Sequence, residues 1–195
     1  MSTQSLSTDG YSALLRRSLT RAGLVSTGLV GAIFALAFGP MLARDPQGFA
    51  QALGRSGALH APDFAPLAHA PLAIQVHLAT VVVALGVTVI LLSGVKGSRL
   101  HRTLGWVWAG SMVVTAIAAL LIPFAPVGPH IGPIGFLQLF ALATLISVPR
   151  AVLAARRHDV ARHAAVLSGL IVGGLGLAGL SAFIPGRLMW TVFFG

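Results

Sequence analysis

The sequence is poor in charge and lacks two residue types altogether. Of its 195 residues only 9% are charged and 56% are hydrophobic, and it contains neither glutamate nor cysteine. Soluble domains carry roughly 25% charged residues, because a globule needs polar groups to cover its surface. Together with a mean hydropathy of +0.89, the shortage of charge excludes a water-soluble domain and predicts a chain embedded in a bilayer.

The missing residue types also exclude several kinds of site. Without cysteine there are no disulfides, thiolate metal sites, iron–sulfur clusters or haem groups attached through a Cys-x-x-Cys-His motif. The seven histidines are then the only strong metal ligands present in number. Because no Asp, Glu, Lys or Arg falls in the middle of a long apolar run, a proton relay or an ion-coupled transporter is disfavoured. Nucleophile–base pairs, carboxylate dyads and phosphate-binding glycine loops are also missing, so we expect no intrinsic catalytic activity.

Five apolar runs are each long enough to cross about 30 Å of hydrocarbon as a helix. The first, at residues 22–43, follows a polar segment at 1–21 and precedes an outer loop at 44–71. A secretory signal peptide is the alternative for this run, but its apolar part would be shorter, at about 7–15 residues. The sequence therefore predicts an all-α, polytopic membrane bundle of five transmembrane helices. Helices 2–5 form its core domain at residues 72–195, with spans at 72–93, 103–124, 131–153 and 164–183.

The cations indicate how these helices are oriented. Thirteen Lys and Arg side chains oppose four Asp side chains, which gives a net charge of +9. Lys and Arg near the ends of spans remain in the cytoplasm, so the pattern predicts an N-in, C-out protein of the bacterial inner membrane. The clusters border apolar runs, so we expect anionic lipid headgroups at the cytoplasmic face as partners, and no nucleic acid. Ten cations are then inside (Arg16, Arg17, Arg21, Lys96, Arg99, Arg102, Arg150, Arg156, Arg157, Arg162) and three outside (Arg44, Arg55, Arg187).

Four histidines stand at alternate ends of successive predicted helices. His77 lies near the outer end of the second helix and His130 just before the fourth, on the same side. His101 and His163 lie at the inner starts of the third and fifth helices. Depth in the membrane therefore pairs His101 with His163, and His77 with His130. The alternative interpretation is that each histidine is a polar boundary residue at the membrane interface.

Such pairs indicate a b-type haem. Axial ligation and burial alone hold this cofactor, and facing imidazoles on neighbouring helices supply both. His101 and His163 would be the principal iron ligands, with His77 and His130 as a second pair. Arg102 and Arg162, near Arg99, would then bind haem propionates or, in the alternative interpretation, phospholipid phosphates.

The fifth predicted helix is rich in small residues. Glycines four residues apart let two helix backbones approach closely, which in lipid takes the place of the hydrophobic effect. We expect this helix to lie in an interface, either within its own bundle or with a second copy or another membrane protein. The glycines are Gly169, Gly173, Gly174, Gly176 and Gly179.

Three segments carry a resemblance to a known family. They are KGSRLHRTLGWVW at 96–108, ARRHDVARH at 155–163 and FIPGRLM at 183–189. With them, residues 72–195 resemble a bacterial family of predicted membrane proteins of unknown function. The resemblance implies a four-helix core with histidines at its helix ends, including His77, His101 and His163. In outline this core is similar to di-haem b-type transmembrane cytochromes and ferric reductases.

The chain departs from the family pattern at two positions. Gln138 stands where the pattern has a histidine in the fourth helix, and Trp190 stands where another often follows the Pro-Gly-Arg ending. Glutamine is a poor haem ligand, so these departures weaken an outer haem site.

Two hypotheses for function follow, with a small-molecule permease as a third that the lack of midplane charge disfavours. The first is a membrane-embedded b-type haem protein for transmembrane electron transfer or redox sensing, with His101 and His163 as ligands. The second is a non-catalytic membrane subunit or assembly partner of a larger complex, in which the same side chains set topology and bind headgroups or a protein neighbour.

Overall fold

Four long helices form the body of the protein. The computed structural model describes residues 59–122, 130–131, 134–183 and 187–194, together with isolated positions between 9 and 57. Within these residues, four helices are long and apolar enough to span a membrane. They are α2 (Leu72–Ser93), α3 (Arg99–Leu121), α4 (Phe136–Arg156) and α5 (Val160–Ser181). They match the second to fifth predicted spans, whereas the predicted first span at 22–43 lies outside the described residues except at Leu24.

The four helices form an antiparallel bundle. Each packs against the next in the chain, and the middle of α5 returns to contact α2, which closes the ring. The turns at 94–98 and 157–159 therefore lie at the same end, which we call the basic end. Residues 59–71 and 187–194 lie at the opposite end.

Short elements cover the opposite end. A single helical turn, α1 (Ala65–Ala68), packs against α6 (Leu188–Phe194). Backbone hydrogen bonds join the same segments, from His60 N–H to the Phe193 carbonyl at 3.1 Å and from Asp63 N–H to the Val192 carbonyl at 2.9 Å. The strands β1 (His130–Ile131) and β2 (Ile134–Gly135) pair antiparallel.

Three of the four helices differ in their bounds from the predicted spans. The predicted fourth span was wrong at its start, because residues 130–135 contain the strand pair and α4 begins only at Phe136. Gly132 and Pro133 are poor residues for a helix interior, which accounts for the delay. In contrast, α3 and α5 begin at Arg99 and Val160, four residues before the predicted starts at 103 and 164.

The packing is inverted relative to a soluble protein. The interior is dominated by small side chains, while many large aliphatic side chains point outward. Backbones separated only by methyl groups approach closely, which is how helices associate where lipid removes the hydrophobic drive. Buried residues include Ala84, Ala109, Ala116, Ala118, Ala141, Ala151, Ala154 and Ala164, and exposed ones include Val82, Val89, Ile117 and Ile146.

Helix α5 is irregular in its middle. An α-helical start at Val160–Gly169 gives way to a π-helical stretch at Leu170–Leu177, and α-helix resumes at Ala178–Ser181. A Cβ added at Gly174 would lie 3.7 Å from Met112 Cε on α3 and 3.8 Å from Thr144 Oγ1 on α4. Because the glycine has no side chain, the wider helical turn fits against two neighbours at once.

The N-terminal segment touches the bundle at one described position. Ser168 on α5 is fully buried, and its hydroxyl donates to the Ala164 carbonyl at 2.8 Å. The Ser18 and Ser168 hydroxyl oxygens are 2.7 Å apart. This hydrogen bond joins the N-terminal segment to α5.

Candidate functional site at the basic end

The turn between α2 and α3 is built from three consecutive residues. The Lys96 ammonium donates to the carbonyls of Leu91 and Leu92, each at 2.6 Å, and of Gly94 at 2.9 Å. It therefore satisfies the carbonyls at the end of α2 and offsets the negative end of that helix dipole. Partial burial lowers the pKa of the Lys96 ammonium.

The next two residues of this turn reverse the chain and start α3. Gly97 has φ of 75°, a left-handed conformation that favours glycine. The Ser98 hydroxyl then accepts from the His101 backbone N–H at 3.1 Å and caps α3. The cap fixes His101 on the first turn of α3.

The turn between α4 and α5 achieves the same result with different residues. His158 has φ of 58°, and its N–H donates to the Ala155 carbonyl while the Asp159 N–H donates to the Ala154 carbonyl. This pattern is a Schellman motif, which normally ends on glycine. Asp159 then caps α5, since its carboxylate accepts from the Arg162 N–H at 3.0 Å. His158 is therefore a turn residue, and His163 begins the second turn of α5.

His101 and His163 both lie near the starts of their helices at the basic end. The His163 Nδ1 lies 2.9 Å from the Ala151 carbonyl on α4. Because a carbonyl only accepts, Nδ1 carries a proton and the neutral ring has its lone pair on Nε2. An imidazole held in this way is suited to bind a metal through Nε2.

The space beside His101 is small. The cavity that it lines with residues of α2, including Ile90 and Leu91, measures about 20 Å³, which holds little more than one water molecule. This cavity between α2 and α3 is too small to hold a haem. Among the residues that the structure describes, no group of three or more His, Asp or Glu side chains could hold a metal ion.

The predicted outer pair is only half described. His77 Nδ1 lies 3.0 Å from the Thr115 carbonyl and so links α2 to α3. His130 lies in β1, paired with Gly135, and its side chain lies outside what the structure describes.

At one of the two departures from the family pattern, the Trp190 ring stacks on Phe194 with 4.4 Å between ring centroids.

Further hydrogen bonds between α2 and α3 escaped the sequence analysis. The Thr115 hydroxyl donates to Thr80 Oγ1 at 2.7 Å, and the Trp108 indole N–H donates to Thr88 Oγ1 at 2.8 Å. Trp108 is buried and Trp106 is exposed, so only Trp106 is placed to anchor the helix at a membrane interface. Threonines placed at intervals along the apolar runs could have indicated that these helices are joined by hydrogen bonds.

Three arginines surround the larger cavity at the basic end. Its volume is about 300 Å³, and it is lined by Arg150, Ala154, Arg157, Asp159 and Arg162. Of the predicted cationic site residues, Arg162 therefore lines this cavity. Arg102 is exposed on α3 and is not among its lining residues.

Comparison with known proteins gives the family and no function. The model of a family described as "Predicted membrane protein (DUF2306)" matches residues 72–189, more than half of the chain, so the chain belongs to that family. No curated protein and no solved structure matches the chain.

Proposed function

We propose that this DUF2306 protein is a non-catalytic membrane subunit or assembly partner, embedded in a bacterial inner membrane, whose basic end faces the cytoplasm and binds anionic phospholipid headgroups. The proposal is carried by one observation, the unequal charge at the two ends of the bundle. At the basic end, seven described cations face one described carboxylate, that of Asp159. The cations are Lys96, Arg99, Arg102, Arg150, Arg156, Arg157 and Arg162.

The charge difference supports both the orientation and the lipid partner. Arg187 and Asp63 are the charged residues described at the opposite end. Lys and Arg remain on the cytoplasmic side during insertion. That leaflet carries anionic lipids, which attract each nearby cation by about 1 kcal/mol. The unequal ends therefore favour stable placement of the basic end against anionic headgroups.

The use of the polar side chains supports a non-catalytic role. His77, His163 and Trp108 each make a hydrogen bond to a neighbouring helix. Such bonds stabilise association of membrane helices by about 0.6–2 kcal/mol each. The presence of these three polar side chains in the spans is therefore explained by helix packing, without a catalytic role.

Reconstitution in bilayers of defined composition tests the lipid proposal. The purified chain is placed in nanodiscs of phosphatidylcholine with or without phosphatidylglycerol, and its thermal unfolding midpoint and the lipids retained in native mass spectra are measured. A ligand that binds only the folded state stabilises it, and the stabilisation grows with the logarithm of ligand concentration once this exceeds the Kd. We expect retained phosphatidylglycerol and a higher midpoint, both diminished by added salt. Equal retention of the two lipids with equal midpoints would contradict the proposal.

A further inference from the structure

The cavity between α4 and α5 is formed by residues at helical spacing. Arg150, Ala154 and Arg157 follow one another at intervals of four and three residues, so they share one face of α4. Arg150 and Arg157 are two turns apart, about 10 Å along the helix axis. Ala154, which is 3% exposed, lies between them, and its short side chain leaves the space between the two arginines open.

The turn after α4 completes the cavity. The Schellman motif at His158 reverses the chain within the residues 157–159, and the cap at Asp159 fixes the first turn of α5. Arg162 in that turn is thereby brought to the same cavity as Arg150 and Arg157. The three guanidinium groups thus come from two helices joined by a capped turn.

The charges around the cavity do not balance. Three arginines and one aspartate line the cavity, and the Asp159 carboxylate already accepts from the Arg162 backbone N–H. No ion pair joins any of the three arginines to a carboxylate in the part of the chain that the structure describes. Guanidinium groups present paired N–H donors that match the oxygens of a phosphate group. About 300 Å³ is at the lower end of the range for ligand pockets.

We propose that this cavity binds the phosphate group of a phospholipid headgroup, with its oxygens accepting from Arg150, Arg157 and Arg162. This inference rests on the proposed function and assigns lipid binding to one site. A headgroup hydroxyl, such as those of phosphatidylglycerol, donates to the Asp159 carboxylate.

The surroundings favour a lipid over a soluble phosphate. Ile146 and Leu153 of α4 are exposed, at 54% and 49%, and Leu153 is one turn from Arg150. These side chains belong to the apolar exterior that faces hydrocarbon. Acyl chains of a lipid held by its phosphate in the cavity can therefore lie along α4.

The test compares two triple variants with the same change in charge. Arg150→Gln, Arg157→Gln and Arg162→Gln together remove the arginines of the cavity. Arg99→Gln, Arg102→Gln and Arg156→Gln remove three others from the same end. Binding of phosphatidylglycerol is titrated in phosphatidylcholine nanodiscs by native mass spectrometry. Since each guanidinium removed takes away charge-assisted hydrogen bonds to the phosphate, we expect the cavity triple to bind at least about tenfold more weakly than the control triple.

A second pair of variants tests the cavity without changing any charge. Ala154→Leu fills the space between the arginines, and Ala155→Leu places the same side chain at an exposed neighbouring position. We expect only Ala154→Leu to lose phosphatidylglycerol. Unfolding midpoints in phosphatidylcholine alone show whether each variant is folded, and if Ala154→Leu is not, the arginine triples decide.

The outcomes separate this inference from the proposed function. Equal losses in the two triples would leave general attraction to anionic lipid intact and would overturn the cavity site. If the unaltered protein shows no preference for phosphatidylglycerol, the proposed function fails as well. Inorganic phosphate and glycerol 3-phosphate are titrated separately. If the protein bound these but not phosphatidylglycerol, the claim that the phosphate belongs to a lipid would be overturned.

Discussion

At the scale of single residues, several polar side chains of the spans join neighbouring helices. Trp108 on α3 donates to Thr88 on α2, and the Thr88 hydroxyl donates in turn to the Ala84 carbonyl at 2.7 Å. Each polar hydrogen thereby has an acceptor within the bundle. Unpaired polar groups are costly in hydrocarbon, so this arrangement stabilises one rotation of α2 against α3.

Replacing Thr88 tests this role. Thr88→Val keeps the shape of the side chain but removes the acceptor of the Trp108 indole N–H. We expect the free energy of unfolding, measured by denaturant titration in detergent micelles, to fall by about 1–2 kcal/mol. The control, Thr103→Val, changes an exposed threonine of α3 and is expected to have no effect. If both variants lost equal stability, the hydrogen bond would have no special role.

At the scale of elements, two family segments owe their form to turn chemistry. Lys96, Gly97 and Ser98 end α2, reverse the chain and cap α3, while His158 and Asp159 do the same between α4 and α5. The same turns place His101 and His163 near the starts of α3 and α5. The residues at these two turns thus have structural roles that require no cofactor.

Some of these elements were predictable from the sequence and others were not. The bounds of α2 were predicted fully, because its apolar run ends where the helix does. The starts of α3 and α5 were missed because their first turns contain Arg99 and Arg162, which hydropathy assigns to a loop although Ser98 and Asp159 cap them. The contact of His77 with Thr115 was also beyond sequence analysis. Helix α2 is apolar on every side, so its pattern does not indicate which face turns inward.

The glycines of α5 give a prediction at the same scale. Gly174 faces Met112 and Thr144, whereas a Cβ at Gly169 would meet nothing within 4 Å. We expect Gly174→Leu to lower the free energy of unfolding by about 1–3 kcal/mol through overpacking, and Gly169→Leu to leave it unchanged. Denaturant titration measures both. Size-exclusion chromatography of Gly169→Leu also tests the predicted homo-oligomer, because a seam through Gly169 would dissociate. Stability unaffected by Gly174→Leu would contradict the close packing of α5.

At the scale of the whole molecule, the bundle has one strongly charged end and an apolar exterior. Within an 18-residue stretch of each span, between 17% and 33% of the residues are buried, so most side chains are left to face lipid. Four helices of this kind leave little interior volume, and Met112 and Val192 are among the largest fully buried side chains. The bundle therefore offers a binding partner its apolar exterior and its basic end, and little interior space.

A visible spectrum tests whether the interior nevertheless holds haem. From the small cavity beside His101, we expect the detergent-purified protein to show no reduced-minus-oxidised haem band. Expression with supplied haem precursor provides the control against poor loading. A band that disappears in both His101→Ala and His163→Ala would instead support ligation of haem iron by this pair and would contradict the expectation.

The placement of both basic turns on the cytoplasmic side is the claim on which the lipid proposals depend. Because the chain has no cysteine, single cysteines report their own location without background. Val95→Cys and Arg156→Cys mark the basic end, and Leu59→Cys marks the opposite end; all three positions are exposed. With a membrane-impermeant maleimide we expect Leu59→Cys to be labelled in intact cells with a permeable outer barrier, and the other two only after the inner membrane is opened. Labelling of Val95→Cys or Arg156→Cys in intact cells would contradict the account.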